Sequence, residues 1–136
     1  MTRALKILVL DDEPTVGDRL RPTLENEGYQ VEVFTDPQKA IKRMEETDFD
    51  IVLTDVRMAN IDGIRVLEHV RSRTDRTKVL IITGYATVEL AREALSKGVF
   101  DFIAKPFKLQ DIRDMVRKAA AALEAEQENS GSDDNA

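Results

Sequence analysis

The chain has 136 residues, which is enough for one domain with a single hydrophobic core. It contains 42% hydrophobic residues, no cysteine and no apolar run near the roughly 20 residues that span a bilayer, which argues against disulfides, thiolate metal sites and membrane insertion. The N-terminus has no signal-peptide pattern, so we expect a cytoplasmic protein.

The net charge of −6 is concentrated at the C-terminal end. Residues 124–136 carry five acids and no base, which leaves 21 acids against 20 bases in the rest of the chain. A nearly neutral body without a basic face argues against nucleic-acid binding. We therefore divide the chain into a folded domain at residues 1–123 and an acidic tail at residues 124–136, for which we predict a solvated, disordered end.

Five short apolar segments are predicted to be strands. The second, residues 29–34, alternates apolar and polar residues, so it has a wetter face or lies at an edge of the sheet. The other four are apolar almost throughout, as expected of strands covered on both faces. They span residues 5–10, 49–54, 78–83 and 99–104.

A helical pattern follows each predicted strand. Pro14 and Pro37 stand where the first turn of a helix tolerates proline, and Gly28 and Gly98 are typical helix ends. The last pattern keeps one apolar face up to Leu123. The other apolar stripes include Val16, Leu20 and Leu24, then Ile64, Leu67 and Val70, then Val88, Ala91, Ala94 and Leu95.

Strands that alternate with helices predict an α/β fold, because each parallel connection needs a crossover helix. The expected architecture is a five-stranded parallel sheet, doubly wound as (βα)5, with helices on both faces. In such sheets ligands bind outside the carboxyl ends of the strands, at the point where the winding reverses.

Polar residues stand at the carboxyl ends of four predicted strands. Asp11 and Asp12 follow the first strand, Asp55 the third and Lys105 the fifth, and Thr83 ends the fourth. Two carboxylates 4 Å apart repel by about 4 kcal/mol at an effective dielectric of about 20. Three acids therefore indicate a divalent cation, or a raised pKa on one acid. Oxygen ligands with room for water suit Mg²⁺.

A carboxylate nucleophile, Mg²⁺, a lysine and a hydroxyl are the groups needed for phosphoryl transfer to aspartate. Asp55 would attack phosphorus without a general base, because a carboxylate is already ionised at neutral pH. Lys105 would neutralise the transferred charge, and Thr83 would donate a hydrogen bond to a phosphoryl oxygen.

These strand ends resemble the receiver domain of bacterial two-component response regulators, and most of all the receivers of nitrogen-regulator-type transcription activators. The resemblance covers residues 5–123 and implies the flavodoxin-like strand order 2-1-3-4-5. The motifs that carry it are Asp11-Asp12, the stretch from Asp55 to Asp62-Gly63, Ile81-Ile82-Thr83-Gly84, and Phe102-Ile103-Ala104-Lys105-Pro106-Phe107.

The resemblance implies that a sensor histidine kinase or a histidine phosphotransfer protein phosphorylates this chain, which then acts on a downstream protein or forms a homodimer. The output surface would comprise the fourth helix, fifth strand and fifth helix. The implied roles are Asp55 as phosphoacceptor, Asp11, Asp12 and the Arg57 carbonyl as further Mg²⁺ ligands, Thr83 and Phe102 as switch residues, Lys105 as counter-charge, and Lys105-Pro106 as a cis peptide.

Three positions depart from the family pattern. Ala59 stands where proline is common, which predicts a looser loop after Asp55. Phe102 lacks the hydroxyl of the tyrosine found in many relatives. Tyr85 is bulky near the mouth of the site, and we hypothesise that it slows hydrolysis of an acyl phosphate.

Other functions fit less well. A phosphatase with an aspartate nucleophile needs a second acid two residues on, where this chain has Arg57. No Gly-rich loop ending in Lys-Ser/Thr is present, which excludes a P-loop enzyme. A flavin-binding domain of the same fold is expected to have fewer acids at the strand ends. A receiver-like interaction module that is never phosphorylated, and a fragment of a longer transcription activator, remain open. His69, the single histidine, is predicted to be a solvated helix residue.

Overall fold

The computed structural model describes residues 4–56, 63–84 and 86–134. In these ranges five strands alternate with five helices. The strands are β1 (Lys6–Leu10), β2 (Gln30–Phe34), β3 (Ile51–Asp55), β4 (Lys78–Thr83) and β5 (Asp101–Ala104). The helices are α1 (Pro14–Glu25), α2 (Pro37–Glu46), α3 (Gly63–Arg73), α4 (Val88–Ser96) and α5 (Leu109–Asp134).

The strands form one parallel sheet in the order β2-β1-β3-β4-β5, which confirms the predicted doubly wound fold and its strand order. The alternating segment β2 lies at an edge, as its pattern indicates. The chain winds from β1 outward to β2, then returns past β1 to β3 and continues in the opposite direction. The winding therefore reverses between β1 and β3.

Side chains on the two faces of the sheet belong to two separate core clusters, because successive residues of a strand point to opposite faces. Ile7 and Val9 of β1 pack with α1 and α5 on one face. Leu8 and Leu10 pack with α2, α3 and α4 on the other. The sheet is therefore buried on both sides, as the continuous apolar strands predict.

Local signals explain where several helices begin and end. Gly28 and Gly98, predicted as helix ends, have φ angles of 98° and 90°, a left-handed conformation that costs glycine little. Asp36 accepts a hydrogen bond from the Gln38 N–H at the start of α2, and Thr87 accepts one from the Leu90 N–H at the start of α4.

The C-terminal segment differs from the prediction of an irregular tail from residue 124. Helix α5 continues to Asp134, well past the end of its apolar stripe at Leu123. Intrinsic propensity accounts for the first turn of this extension, because Glu124, Ala125, Glu126 and Gln127 favour helix even when they are exposed.

Helix α4 packs less than its apolar stripe predicts. Only Ala94 is buried among its residues, while Val88 and Leu95 are 63% and 66% exposed. Val88 and Leu95 therefore point away from the core, while Ala94 and the half-buried Leu90 pack against it. Among the described residues, no helix is long and apolar enough to cross a membrane.

Candidate functional site

The structure brings four strand ends together at the carboxyl edge of the sheet. Asp55 is the last residue of β3, Thr83 is the last residue of β4, and Asp11 directly follows β1. Lys105 directly follows β5 and reaches across the edge to Asp11 and Asp55. The site thus lies at the reversal of winding between β1 and β3, where the sequence places it.

Three carboxylates form the acidic part of the site. Asp11, Asp12 and Asp55 each offer an oxygen, and these oxygens lie within 4.8 Å of one another. Asp11 and Asp55 are only 3% and 6% exposed, while Asp12 is exposed to solvent. The cluster therefore has two buried oxygen ligands and one that faces water, which fits a hard cation that keeps part of its hydration shell.

Burial of its carboxylate changes the titration of Asp11. Its burial and the nearby charge of Asp55 raise the pKa of Asp11 above its ordinary value, although hydrogen bonds from Lys105 and from the Glu13 N–H oppose the shift. Lys105 alone therefore does not compensate the buried carboxylates, and an added positive charge would stabilise this arrangement.

Lys105 is the charge partner of the cluster. Its Nζ lies 2.7 Å from Asp11 Oδ2, 2.9 Å from Asp55 Oδ2 and 3.3 Å from Glu13 Oε1. Burial disfavours the ammonium, but the hydrogen bonds to Asp11 and Asp55 outweigh that penalty and raise the pKa of Lys105, so it stays protonated. The peptide bond to Pro106 is cis, the geometry that the resemblance implies.

The contact between Glu13 and Lys105 was not predicted from the sequence. Glu13 is exposed, yet its carboxylate is the third acid within reach of the Lys105 ammonium. Its place directly after Asp11-Asp12 was the available signal. Sequence spacing alone could not show that the side chain at position 13 turns toward a residue at position 105.

The backbone around Asp55 fixes the orientation of its carboxylate. The Val56 N–H donates to Asp55 Oδ1 at 2.6 Å, and Lys105 holds the other oxygen, Oδ2. The Gly63 N–H donates to the Val56 carbonyl at 2.8 Å, which ties the start of α3 to the end of β3. Both carboxylate oxygens are therefore positioned before any ligand binds.

Gly63 is a positioning residue, although the sequence identifies it only as the end of the motif that begins at Asp55. A Cβ at this position would lie 2.2 Å from the Asp55 carbonyl oxygen, far inside contact distance. Glycine is therefore required because the first turn of α3 packs directly on the backbone of Asp55. Glycine is required at residue 63 because of this close approach and not because of its backbone conformation, since the φ angle of Gly63 is not positive.

Thr83 and Phe102 lie on neighbouring strands beside the acidic cluster. Thr83 is fully buried and pairs with Ala104, and its carbonyl accepts a hydrogen bond of 2.7 Å from the Lys105 N–H. Phe102 is half-buried and packs on the core cluster of α2, α3 and α4. The hydroxyl residue, the aromatic residue and the lysine are thus linked through two paired strands.

Other predicted features fall elsewhere. Arg57, Ala59, Asp62 and Tyr85 lie outside the described residues. His69 differs from the prediction of a solvated residue, because it is half-buried and its Nε2 is buried without a hydrogen-bond partner in the described part of the chain. The reason is that this flank of α3 lines a cavity formed with α2 and the sheet, which covers part of the ring.

Comparison with known proteins gives one consistent class. A family model described as "Response regulator receiver domain" matches residues 7–117. The Escherichia coli regulatory protein AtoC is 37% identical over 119 residues, which cover 88% of this chain and 26% of AtoC. The chain therefore spans about a quarter of the length of such curated relatives.

Solved structures agree with the family model. A CheY-like receiver domain from Methanospirillum hungatei superimposes with a TM-score of 0.85 at 27% identity, covering 90% of this chain and 98% of that one. The beryllofluoride-activated NtrC4 receiver domain dimer gives a TM-score of 0.78 at 29% identity, covering 88% of this chain and 97% of that one. The fold and the strand-end site define a signalling domain of the doubly wound class. The chain belongs to the response regulator receiver domain family, and the resemblance to nitrogen-regulator-type receivers is confirmed.

Proposed function

We propose that Asp55 accepts a phosphoryl group from a histidine kinase or a histidine phosphotransfer protein. The observation that carries the proposal is the Lys105 ammonium, which contacts both Asp11 and Asp55 at the reversal of winding. Phosphorus would move from an imidazole nitrogen of the donor to a carboxylate oxygen of Asp55. The P–N bond breaks as the O–P bond forms, and the departing imidazole takes a proton from solvent.

The residues of the cluster suit a bound Mg²⁺ ion. Asp11, Asp12 and Asp55 would supply its carboxylate ligands, and the Arg57 carbonyl, outside the described residues, is the expected backbone ligand. When bound, Mg²⁺ supplies positive charge that offsets the negative charge of the phosphoryl oxygens. The three oxygens within 4.8 Å and the raised pKa of Asp11 support this assignment.

The other residues of the site position the reactants. The hydrogen bond from the Val56 N–H restricts rotation of the Asp55 carboxylate. Little conformational entropy is therefore lost when the carboxylate attacks. The Lys105 ammonium, which contacts the Asp55 carboxylate, would then contact and neutralise the phosphoryl oxygens. The domain thus promotes its own phosphorylation and the later hydrolysis of its aspartyl phosphate. It acts on no separate small-molecule substrate.

The signal would leave through Thr83, Phe102 and the surface formed by α4, β5 and α5. A phosphoryl group on Asp55 would draw the Thr83 hydroxyl toward it, and Phe102 would repack beside it, which shifts the population between two packings. The exposed Val88 and Leu95 of α4 support this location, because they offer apolar area to a partner protein or a second copy. The NtrC4 receiver is described as a dimer when activated.

Residues 1–123 would form the receiver, and residues 124–136 would lead away from it. Since the chain spans about a quarter of AtoC and its like, the receiver of a longer transcription activator is one form of this proposal. In either form we propose a cytoplasmic domain that binds proteins, not DNA or membrane. A receiver-like module that is never phosphorylated is the alternative of another class.

The test is phosphorylation by acetyl phosphate, followed by intact-mass measurement, with and without MgCl₂. Wild type should gain one phosphoryl group only with Mg²⁺, and Asp55→Asn should gain none. Asp18→Asn is the matched control, because Asp18 is exposed on α1, away from the site. Equal labelling of wild type and Asp55→Asn would reject Asp55 as phosphoacceptor, and a complete absence of labelling would favour the non-phosphorylated module.

A further inference from the structure

A cavity lies at the opposite edge of the sheet from Asp55, between α2, α3 and the starts of β3 and β4. Its volume is about 300 Å³. Val52 lines it three residues before Asp55, so its occupant would lie roughly 10 Å from the phosphoacceptor along β3. The cavity is therefore separate from the acidic cluster.

The floor of the cavity is apolar. Met44 of α2, Phe49 and Val52 of the third strand region and Val70 of α3 line it, and all four are buried residues. A volume of this size with an apolar floor falls at the lower end of the range for small-molecule sites. The floor would take an aromatic ring or a branched aliphatic chain.

The polar lining is incomplete. His69 Nε2 is buried without a hydrogen-bond partner in the described part of the chain, and leaving a buried polar atom unsatisfied is unfavourable. Arg73, one helical turn further along α3, also lines the cavity, and its guanidinium has no ion pair or hydrogen bond among the described residues. Two groups that can donate hydrogen bonds therefore lie on the α3 side, above an apolar floor.

We propose that this cavity binds a small carboxylic acid with an apolar body. The carboxylate would accept hydrogen bonds from the Arg73 guanidinium and, after the half-buried imidazole turns to expose its Nε2, from the His69 ring. The ring or branched chain of the ligand would pack on Phe49 and Val52. Arg73 supplies the full positive charge and a fork that matches a carboxylate. Asp48, exposed at the rim, has the opposite sign and weakens the site for anions.

The charged pair at the rim supplies two variants with opposite expected effects. Arg73→Gln should weaken binding of 3-phenylpropionate about tenfold, since one charge-assisted hydrogen bond is lost from an exposed side chain. Asp48→Asn should strengthen it by about two- to threefold, since a screened surface repulsion is removed. A merely hydrophobic cavity would not distinguish these variants.

The probe experiment uses the whole chain and NMR titration. His69 is the only histidine, so its imidazole gives a single reporter signal. We expect 3-phenylpropionate to shift that signal together with the amides of Val52 and Val70, and 2-phenylethylamine, which has the same ring and the opposite charge, to shift neither. Asp55→Asn should bind the probe like wild type, so failure of the phosphotransfer proposal would leave this result intact.

Three outcomes would overturn the proposal. They are no shift at millimolar 3-phenylpropionate, equal shifts from the amine, and equal affinities in Arg73→Gln and Asp48→Asn. Thermal unfolding of each variant shows whether it is folded. If Arg73→Gln does not fold, the Asp48→Asn variant and the comparison of acid with amine in wild type still decide the question.

Discussion

A single methyl group at residue 63 should disturb Asp55 without removing any carboxylate. Gly63 begins α3, and a Cβ there would lie 2.2 Å from the Asp55 carbonyl oxygen and 2.9 Å from the Val56 Cα. Both neighbours are backbone atoms, so no side-chain rotation relieves the contact. Either α3 or the end of β3 must move by about 1 Å to restore ordinary contact near 3.4 Å.

The expected effect of Gly63→Ala has two parts. Overpacking a tight contact costs about 1–3 kcal/mol, and the higher helix propensity of alanine returns up to about 1 kcal/mol, so the net loss of unfolding free energy should be about 1–2 kcal/mol. The displacement also moves the phosphoacceptor. A misplacement near 1 Å slows reactions by up to about 100-fold, so phosphorylation should slow by about 10- to 100-fold.

Two measurements separate these parts. Urea unfolding gives the stability, and the rate of labelling by acetyl phosphate with Mg²⁺ gives the activity of the folded protein. Gly84→Ala is the matched control, because Gly84 lies at the same edge of the sheet and a Cβ there meets nothing within 4 Å. Wild-type stability and labelling in Gly63→Ala, or an equal loss in Gly84→Ala, would refute the close-approach argument.

Three further substitutions test the charges of the molecule. Lys105→Met leaves Asp11 and Asp55 buried without their cation, so unfolding free energy at neutral pH should fall by about 3 kcal/mol, and MgCl₂ should restore part of it; equal urea midpoints with and without Mg²⁺ would contradict this. Asp11→Asn should raise stability by about 1 kcal/mol without divalent cations, because the penalty for burying the Asp11 carboxylate exceeds what its hydrogen bond from Lys105 contributes. Because the pKa of Asp11 is raised, that gain should be largest at neutral pH and vanish below about pH 4, where the wild-type carboxyl is protonated. The hydrogen bond from Arg43 lowers the pKa of Glu32, so Glu32→Gln should lower the thermal midpoint slightly at neutral pH, and a difference that persists in strong acid would count against the pair.

The fold could be predicted because each of its signals is local. Continuous apolar segments and recurrent helix ends give five strands and five helices, and a parallel sheet then follows from the alternation. The site could be predicted for the same reason, since a residue at the carboxyl end of a strand is placed by the strand itself. Asp11, Asp55 and Lys105 needed no knowledge of side-chain packing to be placed at one edge.

The features that escaped prediction depend on contacts between distant residues or on helix propensity without a core. The contact of Glu13 with Lys105 joins positions 92 residues apart, and the need for Gly63 arises from the Asp55 backbone pressed against α3. His69 lines a cavity formed where α2 and α3 pack over the starts of β3 and β4. Helix α5 continues past Leu123, where Glu124, Ala125 and Glu126 favour helix although they are exposed.

The weak packing of α4 bears on how a small chemical change at Asp55 could alter a surface. Of the residues in α4 only Ala94 is buried, and the burial of a large apolar side chain contributes about 1.5–3 kcal/mol, which Val88 and Leu95 largely forgo. A hydrogen bond from Thr83 to a charged phosphoryl oxygen contributes about 1.5–3 kcal/mol. The two energies are of similar size, so such a bond could change the balance between two positions of α4 by about 10- to 150-fold. A helix held by a larger buried face would not respond to one hydrogen bond. In this chain α4, the helix after Thr83, buries few apolar side chains, so a change of its position costs little packing energy.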